Sequence, residues 1–151
     1  MIIVSQEING NEIEFTSLEH QVLSQFYKAF NTQNIKLMQE NWSLENSIMN
    51  NPLGEILRGW ENISEVYKKI FFGAAEVYVE FYDYTIQTKD KMFFAAGKER
   101  GYIIKHSEKI ELNIRTSRTF TNEQGIYKQV HHHGSITNPK LLDTYQKLVM
   151  S

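Results

Sequence analysis

The sequence predicts an α+β domain with helices packed on one face of a mostly antiparallel sheet. One change of pattern and one measure of size carry that expectation. Apolar residues recur at helical spacing up to Gly73. From Ala75 the period drops to two and stays there through four long runs. Helices first and a meander afterwards put the helices on one face of the sheet. With 151 residues, 41% of them hydrophobic, and no repeat, linker or low-complexity tract, the chain reads as one domain spanning 1–151.

Taken in order, Ile2 to Ile8 and Asn11 to Phe15 flank Asn9-Gly10, a pair suited to a tight hairpin turn. Residues 1–15 are therefore expected to form a leading hairpin or extension. Thr16-Ser17-Leu18-Glu19 has the form of a capping box. Val22, Phe26, Ala29 and Phe30 continue it as a helix to about Asn31. Asn34 is placed to cap a short second helix through Ile35, Leu37, Met38 and Trp42. Ser47 to Gly54, with Pro52 inside it, reads as a short strand and turn. A third helix starts at Gly59, carries Ile63, Val66, Tyr67 and Ile70 on one face, and is closed by Gly73. Four strands follow over 76–87, 92–105, 109–121 and 126–136, and a terminal helix begins at Pro139.

Composition narrows the function classes. Sixteen basic against eighteen acidic residues leave a net charge of −2, which gives no general attraction to nucleic acid. The absence of cysteine excludes disulfides and thiolate metal sites. The first residues lack the basic and apolar regions of a signal peptide, and no apolar run reaches the ~20 residues of a membrane helix. The expectation is a cytoplasmic protein without membrane or nucleic-acid partners.

Face assignment isolates the candidate site. In the third long strand Ile110, Leu112, Ile114, Thr116, Arg118 and Phe120 share the face toward the helices. Arg118 is the exception in that set. It either pairs with an internal carboxylate or points into a cavity that receives an anionic ligand. In the second strand Lys98 or Arg100 is a candidate second cation. Asp83 shares alternation with Val77, Val79 and Phe81, which makes it a candidate partner for Arg118 or a general base. In the last strand Val130, His132 and Gly134 are expected to face inward, with His132 a candidate base beside Arg118. His131 and His133 form an HxH pair, but no third ligand is evident, so no metal and no cofactor are expected.

The order of these features resembles the nuclear transport factor 2-like superfamily, in its SnoaL-like and ketosteroid isomerase-like branch. The features are Phe30-Asn31-Thr32-Gln33-Asn34-Ile35, Trp42, Asn51-Pro52-Leu53-Gly54, Arg58-Gly59-Trp60, and a meander ending in VHHHGS. The resemblance implies a cone-shaped domain with helices packed in the concavity of a curved sheet, a deep pocket, and a homodimer formed through the open sheet face, for which Ile103, Tyr127, Gln129 and His131 are candidates. Ser117-Arg118 and Val130-His131-His132-His133-Gly134-Ser135 are locally similar to the association domain of calcium/calmodulin-dependent kinase II. There Arg118 matches one of a cluster of pocket arginines, Lys98 falls near another, and Gly134 replaces a third. Likeness to the steroid isomerases fails at the chemistry. The basic aspartate is replaced by Asn51, the oxyanion-hole tyrosine by Phe26 and the oxyanion-hole acid by Arg118, while a supporting tyrosine is kept as Tyr67.

The leading expectation is a small-molecule-binding homodimer. Its apolar pocket is walled by Phe26, Trp42, Tyr67 and Val130, with Asn51 at the turn and Arg118 as anchor for a carboxylate or enolate-like oxygen. On that view the fold tolerates the loss of Arg118. Two further readings are an isomerase, cyclase or dehydratase using His132 or Asp83 as base, and a purely structural oligomerisation module.

Overall fold

A computed structural model describes residues 2–4 and 6–150. The elements run β1 Ile2–Val4, α1 Leu18–Asn31, α2 Ile35–Asn41, β2 Ile48–Asn50, β3 Ile56–Arg58, α3 Trp60–Phe72, β4 Glu76–Lys89, β5 Met92–Lys105, β6 Glu108–Glu123, β7 Ile126–Ser135 and α4 Pro139–Met150. They build one seven-stranded sheet in the order β1-β4-β5-β6-β7-β2-β3. Every pairing is antiparallel except that of β2 with β7. The expected α+β class is the one observed.

Local chemistry explains the boundaries. Ser17 caps α1 by accepting from the His20 amide at 3.0 Å, so the cap sits one residue beyond the Thr16 that the capping-box pattern suggested. Asn34 caps α2 as expected, accepting from the Leu37 amide. Gly59 enters α3 at φ 79, a conformation open to glycine without strain. The β5–β6 turn places His106 and Ser107 at φ 52 and 66, the left-handed pair that matches strand twist in a two-residue hairpin.

The leading segment departs from expectation. Asn9-Gly10 does not close a hairpin. Ile2–Val4 pair with Tyr84–Ile86, and Ile8 bridges Phe81, so the segment extends the sheet beside β4. The Glu12 carboxylate then accepts from the Asn9 and Gly10 amides and from the Ser24 hydroxyl, which ties the segment to α1. β3, three residues long, was not legible as a strand.

Two irregularities shift side chains between sheet faces. Between Tyr82 and Thr85 the β4–β5 register slips at Asp83, whose φ is 49. Val77, Val79 and Phe81 are buried before the bulge, and Tyr84 and Ile86 after it, while Asp83 is exposed. Between Thr119 and Phe120 the β6–β7 register skips Val130, so that Gln129 and His132 both turn inward. The core between sheet and helices is rich in rings. Phe26, Tyr27 and Phe81 stack or meet edge-on, and Phe93 stacks on Phe120 at 4.8 Å.

An inner cavity as the candidate functional site

Inside the cone lies a cavity of about 50 Å³. Phe26, Asn51, Tyr67, Arg118 and His132, all named from sequence, line it, joined by Glu99. The helices supply apolar wall, and the inward faces of β5, β6 and β7 supply the polar groups.

Arg118 pairs with an internal carboxylate. Its Nη2 donates to Glu99 Oε2 at 2.9 Å, and both side chains are almost fully buried. Nη1 donates to Gln129 Oε1 at 2.9 Å and Nε to the Tyr27 hydroxyl at 3.4 Å. The guanidinium carbon sits 3.6 Å from the centre of the Phe26 ring. Tyr27 donates to the same Glu99 oxygen at 2.5 Å. Gln129 passes the network outward, donating to Asn41, whose own amide donates to Val22 O and Gln25. Burial pulls Arg118 toward its neutral form, but Tyr27, Glu99 and Tyr67 more than offset this and hold its pKa up. Burial, reinforced by Glu99, pushes the Tyr27 hydroxyl well above its ordinary value.

His132 stands directly across the β6–β7 ladder from Arg118. Its Nδ1 lies 3.3 Å from Ser117 O. A carbonyl can only accept, so Nδ1 carries the proton and Nε2 keeps the lone pair. Burial first, and the Arg118 charge second, hold the ring pKa well below the usual histidine value. Gly134 makes room for this ring: a Cβ there would lie 3.2 Å from His132 Nε2 and 3.3 Å from Pro52 Cδ. Burial likewise raises the Tyr67 hydroxyl pKa, with Arg118 opposing the rise. Trp42 packs against Tyr67 with ring centres 6.4 Å apart, and its buried Nε1 has no hydrogen-bond partner among the described residues. Asn51 stabilises its own turn, accepting from the Leu53 amide at 3.0 Å.

The other expected residues lie elsewhere. Trp42 packs against Tyr67 but does not line the cavity, and Arg100 is on the outer face of β5 with Glu7 and Glu80. Lys98 is on the outer face of β5 and pairs there with Asp83 at 3.1 Å, both side chains being about half exposed or more. The β4 bulge explains Asp83. Lys98 is outside because the inward set of β5 is Phe93, Ala95, Glu99 and Ile103. Val130 is the residue the β7 bulge displaces, and it does not line the cavity. Of the residues expected on the outer face, Ile103 and Gln129 are fully buried. Glu99 and Gln129 are the partners of Arg118 that sequence reasoning missed. The signal for Glu99 was its alternation with Ala95 and Ile103. For Gln129 there was none, since nothing in the sequence marks the bulge. Among the described residues no cluster of three or more potential ligands could hold a metal. No helix of the described residues is long and apolar enough to cross a membrane.

A curved sheet wrapped around helices, with a buried polar cluster inside, defines a pocketed cone domain. The chain belongs to the SnoaL-like domain family, whose model matches residues 20–139. No curated protein matches the chain. Among solved structures, it is similar to an NTF2-like superfamily protein from Salmonella enterica (TM-score 0.69, 14% identity, covering 79% of this chain and 90% of that one). It is also similar to a candidate dehydratase of the NTF2-like family from Streptomyces avermitilis (0.67, 14%, 78% and 93%). The association domain of C. elegans CaMKII is a third (0.63, 16%, 77% and 91%). At such identities these likenesses show the fold alone.

Proposed function

We propose that the domain binds a small, uncharged ring compound bearing a carbonyl or hydroxyl oxygen, and does so as a homodimer. One observation carries the ligand class: Arg118 and Glu99 neutralise each other inside the cavity. The cluster then offers donors and acceptors without net charge. A carboxylate would bring an uncompensated negative charge into a buried site, which is unfavourable. The sequence-based choice of a carboxylate or an enolate-like oxygen thus gives way to a neutral carbonyl or hydroxyl oxygen. Apolar walls from Phe26, Phe30 and Leu112 suit a ring. Ligand-observed NMR with p-cresol, cyclohexanone and benzoate tests the reading. The neutral compounds should bind and benzoate should not; the reverse order, abolished by Arg118→Gln, would return the anion reading to first place.

A catalytic reading has its own support in the His132 tautomer, whose lone-pair nitrogen could take a proton from a bound hydroxyl or an activated C–H. Deuterium incorporation next to the cyclohexanone carbonyl in D2O, lost in His132→Ala, would establish it. Absence of incorporation leaves a binding domain.

A further inference from the structure

α4 stands apart from the rest of the fold. The family match ends at residue 139, and α4 occupies Pro139–Met150 beyond it. It follows a short non-helical break at residues 136–138. Only two of its twelve residues, Tyr145 and Val149, are buried, whereas α1 buries six of fourteen. Its anchors include the Gln146 amide donating to Pro52 O at 2.9 Å and Lys105 Nζ donating to Leu148 O at 3.0 Å.

Those two buried residues sit at a partition. Tyr145 is part of the wall of the inner cavity. Val149 lines a second cavity of about 230 Å³ outside it, between the end of α3 and the start of β4. Ile70 and Val77 belong to both cavities, so the two are neighbours. Separately neither suits a ligand of ordinary size. Together, with the Tyr145 ring withdrawn, they approach the roughly 300 Å³ at which small-molecule sites begin.

We propose that α4 is the gate of this site and that Tyr145 is its built-in occupant, a phenol that fills the ligand's place while the gate is shut. The proposal rests on the ligand class argued above and deepens it. A ring carrying one hydroxyl is what the chain itself inserts beside the Arg118–Glu99 pair, so a phenol or cyclic alcohol is the competing ligand. Burial and the nearby Glu99 charge both keep the Tyr145 hydroxyl protonated, as a donor. Opening needs rotation at residues 136–138, loss of the Gln146 and Lys105 contacts, and release of Leu141, Leu142 and Leu148, which are only partly buried against the core. Binding is then limited by the fraction of open molecules, and any change that weakens the closed state tightens apparent affinity in proportion.

The test uses the full chain and p-cresol as probe. Hydrogen exchange should show the amides of 139–150 exchanging at least tenfold faster than those of α1 and α3, and slowing when p-cresol is added. Gln146→Ala removes the Pro52 latch without touching the cavity, and should tighten p-cresol binding about fivefold while speeding exchange in α4 alone. Tyr145→Ala should tighten it by tenfold or more. A helix with a merely structural role would instead lower the melting temperature on Gln146→Ala and leave affinity unchanged; that result, or α4 exchange as slow as that of α1, overturns the gate. If α4 opens as described but no variant binds p-cresol, the gate stands and the proposed ligand class falls.

Discussion

Arg118 and Glu99 come from neighbouring strands and meet in a space that water barely enters. Such a pair adds little beyond what two well-packed apolar residues would, but removing one member leaves a buried charge alone. Glu99→Ala and Arg118→Gln should therefore each lower stability by about 3–5 kcal/mol in urea unfolding. Glu99→Leu combined with Arg118→Met should recover much of that loss. The expectation that the fold tolerates loss of Arg118 gives way on this geometry. An unchanged urea midpoint for both single variants would restore it. His132 supplies a pH dependence whose sign follows from its depressed pKa. In the unfolded chain the ring titrates near 6.5, whereas in the fold it stays neutral to lower pH. The unfolded state thus binds the extra proton first as pH falls. Stability is complete above about 6.5 and declines below it until the folded ring also protonates. Melting curves from pH 7.5 to 5 should show this slope, and His132→Asn should flatten it. His131, lowered by partial burial, contributes a smaller share that remains in the variant.

At the scale of the element, period and punctuation marked the strands and helices well. β5 spans the expected residues, and β4, β6 and β7 differ from expectation by only a few residues at their ends. What alternation could not supply was its own interruption. The bulges at Asp83 and Val130 each insert one residue, and one residue is enough to send a side chain to the opposite face. That is why Asp83 and Val130 were placed at the site and Gln129 was not. Arg118 was placed correctly because β6 alternates without interruption from Leu112 through Phe120; His132 does face inward, although Val130, the neighbour that suggested it, is the residue the bulge displaces. Lys98 was misplaced for a different reason. β5 has glycines at two inward positions, Gly97 and Gly101, so its buried face lacks an apolar signature. Those glycines let β4 come close: a Cβ at Gly97 would lie 2.6 Å from Tyr84 Cβ, and one at Gly101 would collide with Tyr78 O. Since the obstacle at Gly101 is backbone, it cannot swing aside. Gly101→Ala should cost about 1–3 kcal/mol by overpacking and should disturb the β4–β5 ladder first. Amide exchange in residues 76–82 would report it, and unchanged protection there would show that the strands have room to separate.

For the whole molecule, the sheet has one face committed to the helices and another left over. The inward face holds the ring cluster and the inner cavity, so a dimer formed through the sheet, as proposed above, would use the outer one. That face is mixed in character. Arg100 is already engaged by Glu7 and Glu80 and lies over the Tyr82 ring, which makes the β4 side polar and self-satisfied. Along β5, Met92 and Phe94 are exposed on the outward alternation, as is Ala96. An antiparallel sheet with one solvated face is stable alone, so dimerisation is not needed to complete the core. It is favoured by the exposed apolar side chains near the β5 start, which a second copy meeting the same surface about a two-fold axis would cover together. Light scattering at micromolar concentration should give twice the 17.8 kDa chain mass. Phe94→Asp should shift it toward the single-chain value, since a charge on a self-complementary patch meets its own copy. Because Phe94 faces outward and does not line the cavity, the same variant should keep p-cresol binding. A monomer for the unmodified chain would remove the dimer from the proposed function and leave the cavity and its gate to be judged separately.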